Sequence, residues 1–228
     1  MTDLAYKHYW ARKKLKSGSC PHFPVLRSSG AGLDGQVLDV VKRAIADKAR
    51  LLDVGAGSLE VRDTLRAEGF GGEYETLDIG NEYEYTYRSF DQVETRFDAI
   101  LLLDVIEHLP LEDGLELLEK CFGALTDGGV LLLQTPNGRC VRSPFSSDIT
   151  HLQAYNLPDL WAYLTVLGSE CRGYRIAYSN AGSVQSRLVE FLGRAVATRL
   201  LGLDYADNIL LAATKHRVKG GASRKVLG

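Results

Sequence analysis

Leu51-Leu52-Asp53-Val54-Gly55-Ala56-Gly57-Ser58-Leu59-Glu60 is the stretch whose reading decides the fold. Its apolar start reads as a buried strand, its two glycines as a tight turn, and the residues that follow as a helix. That succession marks the nucleotide-binding corner of an open parallel sheet, though it also describes an ordinary strand-to-helix turn. Gly55 and Gly57 have no Cβ, so a turn made from them can lie against a flat adenosine.

Glu60 narrows the ligand. In the dinucleotide fingerprint G-x-G-x-x-G a third glycine falls here, under a pyrophosphate held at the helix N-terminus. A carboxylate in its place repels that group, which disfavours NAD and FAD. A phosphate-free nucleoside such as S-adenosylmethionine meets no such penalty. Asp53, at the strand's end, suits a ligand that carries an ammonium and a positive sulfur.

The 228 residues predict one domain large enough to bury a sizeable core. A net charge of −2 and a pI near 6.2 leave no electrostatic footprint for nucleic acid, so none is expected as a partner. The four cysteines (Cys20, Cys121, Cys140 and Cys171) form no C-x-x-C pair and read as reduced thiols of a cytoplasmic protein. No apolar run approaches the ~20 residues that span a bilayer, and basic residues interrupt the N-terminus where a signal core would lie. Membrane contact is therefore not expected, and the oligomeric state is left open.

Outward from the glycine turn, residues 1–35 read as an arm: a short amphipathic helix, then an irregular segment. The arm either covers a ligand pocket or docks on the surface. A domain over 36–214 follows. It opens with a helix from Gln36, on which Val37, Val40, Val41, Ala44 and Ile45 recur at helical spacing. Tyr74–Asp78 reads as a second strand, and Asp78 lies 21 residues beyond Gly57. A carboxylate at about that interval, on the tip of the neighbouring strand, is where a ribose diol is held. Only 19 residues lead from Asp78 to Phe97, which predicts a reduced third unit with a strand around Tyr83–Tyr87. Asp91 in the following loop either accepts from an adenine amino group or is a plain loop aspartate.

Phe97–Asp104 is apolar without alternation, as a buried parallel strand requires. A helix beginning at Pro110, a turn at Asp127-Gly128-Gly129 and a strand over Val130–Thr135 come next. Gly173–Ser179 and Asn208–Thr214 supply a sixth and a seventh strand. An insert helix about 183–203 lies between them, packed on the core or reaching a partner, and 215–228 reads as a basic disordered tail. Strands and helices in this alternation predict a doubly wound, Rossmann-like α/β sheet of seven strands with helices on both faces.

Taken in order, Leu52-Asp53-Val54-Gly55-Ala56-Gly57, Leu77-Asp78, Asp104-Val105-Ile106-Glu107-His108-Leu109, Leu125-Thr126-Asp127-Gly128-Gly129-Val130-Leu131 and Thr135-Pro136-Asn137 resemble class I S-adenosylmethionine-dependent methyltransferases. The resemblance covers residues 36–137 and implies an antiparallel last strand. It implies that Gly55, Ala56 and Gly57 line the cofactor's amino-acid and ribose portions, with Asp53 toward the ammonium. Asp78, with Ile79 beside it, would hold the ribose, and Asp104-Val105 would border the sulfonium. Asp148-Ile149-Thr150-His151 is similar to a segment of the branch associated with bacterial surface-glycan or secondary-metabolite clusters. That branch implies a small-molecule or sugar acceptor.

Methyl transfer to a hydroxyl needs alignment and removal of a proton, for which an imidazole is suited near neutral pH. His151 is the candidate base, and His108 a base or positioning group; either could instead be a hydrogen-bonded structural histidine. Glu107, His108 and Asp148 could gather a metal, but adjacent Glu-His is not helical ligand spacing, so no metal site is expected. Asn-Pro-Pro-Tyr, which supports base-amine methylation of nucleic acids, is absent after the fourth strand. The preferred function is thus O-methylation, with a catalytically inactive cofactor-binding module or regulatory subunit as the alternative.

Overall fold

The computed structural model describes residues 4, 6–30, 32–140, 143–178, 196 and 204–217. The expected insert helix, apart from Val196, and the tail from residue 218 lie outside them. The elements run α1 (Tyr9–Gly18), β1 (Val25–Ser28), α2 (Gly35–Ile45), β2 (Arg50–Val54), α3 (Glu60–Ala67), β3 (Glu73–Leu77) and β4 (Phe97–Leu103). There follow α4 (Leu111–Ala124), β5 (Leu125–Pro136), α5 (Leu157–Val166), β6 (Ser169–Tyr178) and β7 (Asn208–Lys215).

The strands form one sheet in the order β1-β6-β7-β5-β4-β2-β3. All neighbours are parallel except β7, which runs antiparallel to both β5 and β6. Alternate residues of the central strands feed two apolar layers, as a sheet covered on both faces demands. Leu52, Val54, Ile100, Leu102, Leu131 and Leu133 pack under α4 and α5, against Leu115, Leu118, Phe122, Leu160 and Leu164. Leu51, Ala99, Leu101, Val130 and Leu132 face the other way, onto Val41 and Ile45 of α2 and Leu65 of α3. The chain leaves β2 for β3 on one side and returns to β4 on the other. That reversal opens a crevice at the carboxyl ends of β2 and β4, the place where open α/β sheets bind ligands.

Three details differ from the sequence expectation. The segment expected to be irregular contributes β1, which pairs in parallel with β6 from Val25↔Arg175 to Ser28↔Tyr178. The expected third strand shrinks to one bridge, Leu77↔Tyr87, so β1 supplies the seventh strand at the opposite edge. Asp127-Gly128-Gly129 is not a turn ahead of β5 but a bulge inside it. Two steps along β4 (Phe97 to Ala99) are matched by five along β5 (Leu125 to Val130), and Gly128 at φ +80° accommodates the kink.

The arm docks beside the sheet helices. Lys16 pairs with Asp159 of α5, Lys7 lies 2.7 Å from Glu119 of α4, and Phe23 packs edge-on against Trp161. No helix among the described residues is long and apolar enough to cross a membrane.

Candidate active site

The glycine turn is tied to β3 by backbone and side chain. Gly55 N–H and Ala56 N–H donate to the Leu77 carbonyl, at 2.8 and 3.3 Å. Gly57 N–H donates to Asp78 Oδ2 at 2.8 Å, and Gly80 N–H donates to Asp78 Oδ1 at 2.7 Å. Gly55, Gly57 and Leu59 all have positive φ (+77°, +46° and +66°), so the turn winds left-handed before α3 begins. A Cβ on Gly55 would come 2.3 Å from Val105 Cγ2. The bare α-carbon is what lets the β2 and β4 corners touch.

This corner fits a phosphate-free adenosyl ligand. The Gly57 N–H that would meet a pyrophosphate already serves a carboxylate, and Glu60 and Asp63 in the first turn of α3 add like charge. Each Asp78 oxygen holds one amide and keeps a lone pair for a ribose hydroxyl. Ile79 next to it is 86% exposed, an apolar side chain held out at the rim where an adenine could cover it. Tyr85, from the shortened third unit, donates its hydroxyl to the Gly57 carbonyl at 2.8 Å and carries the Arg88 guanidinium over its ring. Arg88 also donates to the Gly80 carbonyl. The tyrosine-rich composition of residues 83–87 was the sequence signal for this brace; which tyrosine reaches the turn was not readable.

Two expected cofactor residues have their carboxylates hydrogen-bonded within the protein. Asp53 is 2% exposed and accepts from the Tyr74 hydroxyl at 2.7 Å. Burial pushes its carboxyl up to about 6, with Tyr74 opposing and the Asp78 charge adding to the rise. Asp104 adopts φ +53° and has its carboxylate held by Gln134 Nε2 at 2.7 Å and Asn208 Nδ2 at 3.1 Å. Burial raises its carboxyl too, while Gln134, His151 and His108 pull it back. Asp91 is an exposed side chain in a one-turn helix, 4.0 Å from Lys120.

The two candidate histidines meet. His108 ends a short 3-10 turn after β4, His151 lies in the loop after β5, and their ring centroids are 4.7 Å apart. The loop is latched by Leu152 N–H and Gln153 N–H, which donate to the Glu107 carbonyl at 2.7 and 3.0 Å. His151 Nδ1–H donates to the Phe145 carbonyl at 3.0 Å, and the Phe145 ring stacks on the imidazole. His108 Nδ1 meets Thr150 Oγ1 at 2.9 Å, and that hydroxyl donates onward to Asp148 Oδ1 at 2.7 Å. Because Thr150 has one proton and gives it to a carboxylate, His108 Nδ1–H is the donor. Each ring is thereby left with its lone pair on Nε2. Glu107, just before His108 in sequence and fully buried, accepts from Thr135 Oγ1 at 3.0 Å through Oε2. Burial and then the Asp104 charge push its carboxyl up to about 7.

A model of a family described as a methyltransferase domain matches residues 31–178. No curated protein matches the sequence significantly. Among solved structures, an S-adenosylmethionine-dependent methyltransferase from Archaeoglobus fulgidus superposes with a TM-score of 0.60 at 18% identity, covering 91% of this chain and all of that one. Magnesium protoporphyrin IX methyltransferase from Synechocystis PCC 6803, with bound SAH, gives 0.52 at 13% identity over 79% of this chain and 82% of its own. The plantazolicin methyltransferase BpumL in complex with SAH gives 0.50 at 13%, over 78% and 80%. At such identities the likeness is one of fold, whereas the family model covers most of the chain. The chain belongs to the methyltransferase-domain family and shares the fold of S-adenosylmethionine-dependent methyltransferases of known structure.

Proposed function

We propose that this protein transfers the methyl group of S-adenosylmethionine to a hydroxyl of a small molecule or sugar. The observation that carries the reading is the convergence of His108 and His151, each with Nδ1 tied to oxygen and Nε2 left as an acceptor. S-adenosylmethionine supplies an electrophilic methyl carbon whose bond to sulfur breaks as the bond to the acceptor oxygen forms. The rest falls to the chain. Gly55, Ala56 and Gly57 cradle the nucleoside, Asp78 receives the ribose, Ile79 offers an apolar rim to the base, and Asp53 with Asp78 holds positive charge nearby. Val105 packs against Gly55 and shapes the floor beside the reacting carbon. His151 takes the acceptor's proton on Nε2, and His108, braced by Thr150 and Asp148, positions it. Cys20, Cys121 and Cys171 are free thiols, which fits a reducing, cytoplasmic setting.

Release of SAH, followed with a panel of hydroxylated acceptors and with the methyl ether identified by mass spectrometry, tests the proposal. Methyl transfer confined to nitrogen or carbon acceptors would count against it. Tight SAH binding with no turnover across the panel would favour the inactive binding module.

A further inference from the structure

The fold adds a residue to the Glu107-His108 pair that sequence spacing could not supply. One carboxylate oxygen of Glu107 and one ring nitrogen each from His108 and His151 lie within 4.8 Å of one another. We propose that these three residues bind a single divalent first-row transition-metal ion, of the class of Zn2+, Mn2+ or Co2+. Asp148, the third ligand that the sequence offered, instead stands behind His108.

Three observations support the site independently. Glu107 is completely buried, and its Oε1 has no hydrogen-bond partner among the described residues, while Oε2 is satisfied by Thr135. A buried carboxylate oxygen left bare is costly, and a cation removes that cost. Second, among the described residues no hydrogen bond or ion pair joins this carboxylate to either ring, so the three groups converge without satisfying one another. An ion about 2.1 Å from each ligand holds the ligand atoms roughly 3–4 Å apart, so the groups need to close only slightly.

Third, the surroundings of both rings are those of metal-ligating histidines. Such a ring donates its other N–H to a carbonyl or a carboxylate-linked group, which fixes the tautomer and raises the basicity of the ligating nitrogen. His151 Nδ1–H goes to the Phe145 carbonyl, and His108 Nδ1–H goes through Thr150 to Asp148. Two imidazoles and one carboxylate, with positions left open, select a first-row transition metal over Mg2+ or Ca2+, which take oxygen ligands. Both rings are only half-buried, so an ion has a route in.

On the O-methylation reading, a bound ion would take over from His151 the task of activating the hydroxyl. Its charge would lower the pKa of a hydroxyl brought against it and the proton would leave to solvent, so His151 would serve as the base only in the metal-free chain. That consequence rests on the proposed function, whereas the binding itself does not.

The test uses the tag-free full chain, stripped with chelator and titrated with CoCl2. Visible absorption reads the ligand field, and equilibrium dialysis reads the stoichiometry. The expected result is one Co2+ per chain, displaced by Zn2+ but not by millimolar Mg2+. His151→Ala and Glu107→Gln should each weaken binding at least tenfold, and His216→Ala should leave it unchanged. Circular dichroism checks the fold of each variant, and half-buried His151 gives a variant that keeps the test alive if Glu107→Gln unfolds. Absence of stoichiometric Co2+ binding, ready displacement by Mg2+, or binding that survives His151→Ala in the folded variant would overturn the inference. Since neither cofactor nor acceptor is present, a negative result leaves the methyltransferase reading standing, and failed turnover leaves the metal site standing.

Discussion

Asp78 Oδ2 accepts the Gly57 backbone N–H at 2.8 Å, so the carboxylate expected to hold a ribose also holds the turn on which that ribose would rest. Its second oxygen does the same for Gly80. Loss of the carboxylate therefore removes a ligand and loosens its support together. Hydrogen bonds to a charged group contribute about 1.5–3 kcal/mol each, and a tenfold change in affinity is about 1.4 kcal/mol. Asp78→Ala should raise the SAH dissociation constant by about 10- to 100-fold in titration calorimetry. An unchanged constant would remove Asp78 from the cofactor site.

Gly55 and Val105 make the second contact on which the crevice depends. Gly55→Ala places a methyl 2.3 Å from Val105 Cγ2 and forces a side chain onto φ +77°. The left-handed backbone alone costs roughly 1–2 kcal/mol, and the clash must push β2 and β4 apart at their ends. We expect Gly55→Ala to lose SAH binding and to melt earlier. The double variant Gly55→Ala/Val105→Ala should recover part of the stability, because it removes the clash and keeps the φ penalty. Equal melting of single and double variants would show that Val105 is not what Gly55 makes room for.

These two contacts also mark what was legible in the chain. Gly55, Gly57 and Asp78 are separated by about one βα unit, and local spacing is enough to place a turn against the next strand tip. The buried runs of β2, β4 and β5 were equally plain, since strands covered on both faces cannot alternate. What escaped depends on distant partners. Val25–Ser28 is four residues among prolines and serines, and only pairing with β6 makes it a strand. The bulge at Gly128 follows from how β5 registers on β4. His151 meets His108 because Leu152 and Gln153 latch their loop to the Glu107 carbonyl, a backbone contact that no side-chain pattern announces. Asp53, from its place at the strand's end, and Asp104, from the resemblance, were expected beside the cofactor; that Tyr74 bonds one carboxylate and Gln134 with Asn208 the other is again a matter of distant partners.

Asp53 should leave a trace in stability against pH. Its carboxyl is raised from 3.8 to about 6 by burial, so the folded protein binds this proton more tightly than the unfolded chain does. The stability it contributes is full below about 4 and is lost as pH rises through about 6, on the order of 3 kcal/mol in all. Asp53→Asn can still accept from Tyr74 and carries no charge. Relative to wild type, its melting temperature should rise steadily between pH 4 and 6 and stay higher at pH 8. Parallel curves for the two proteins across that range would mean that Asp53 does not titrate there.

Asp104 tests the strained corner after β4. At φ +53° it occupies the left-handed region, where aspartate is tolerated and alanine is not, and its carboxylate is clamped by Gln134 and Asn208. Asp104→Ala and Asp104→Gly both delete the clamp, so the difference between them isolates the backbone. Glycine pays no steric penalty at that φ, although it gains freedom in the unfolded chain that alanine lacks. We expect Asp104→Gly to be the more stable of the two by about 1 kcal/mol in urea unfolding, with both below wild type. An alanine variant as stable as the glycine one would show that the corner relaxes once its carboxylate is gone. The clamp from β5 and β7 would then be what holds the residue left-handed.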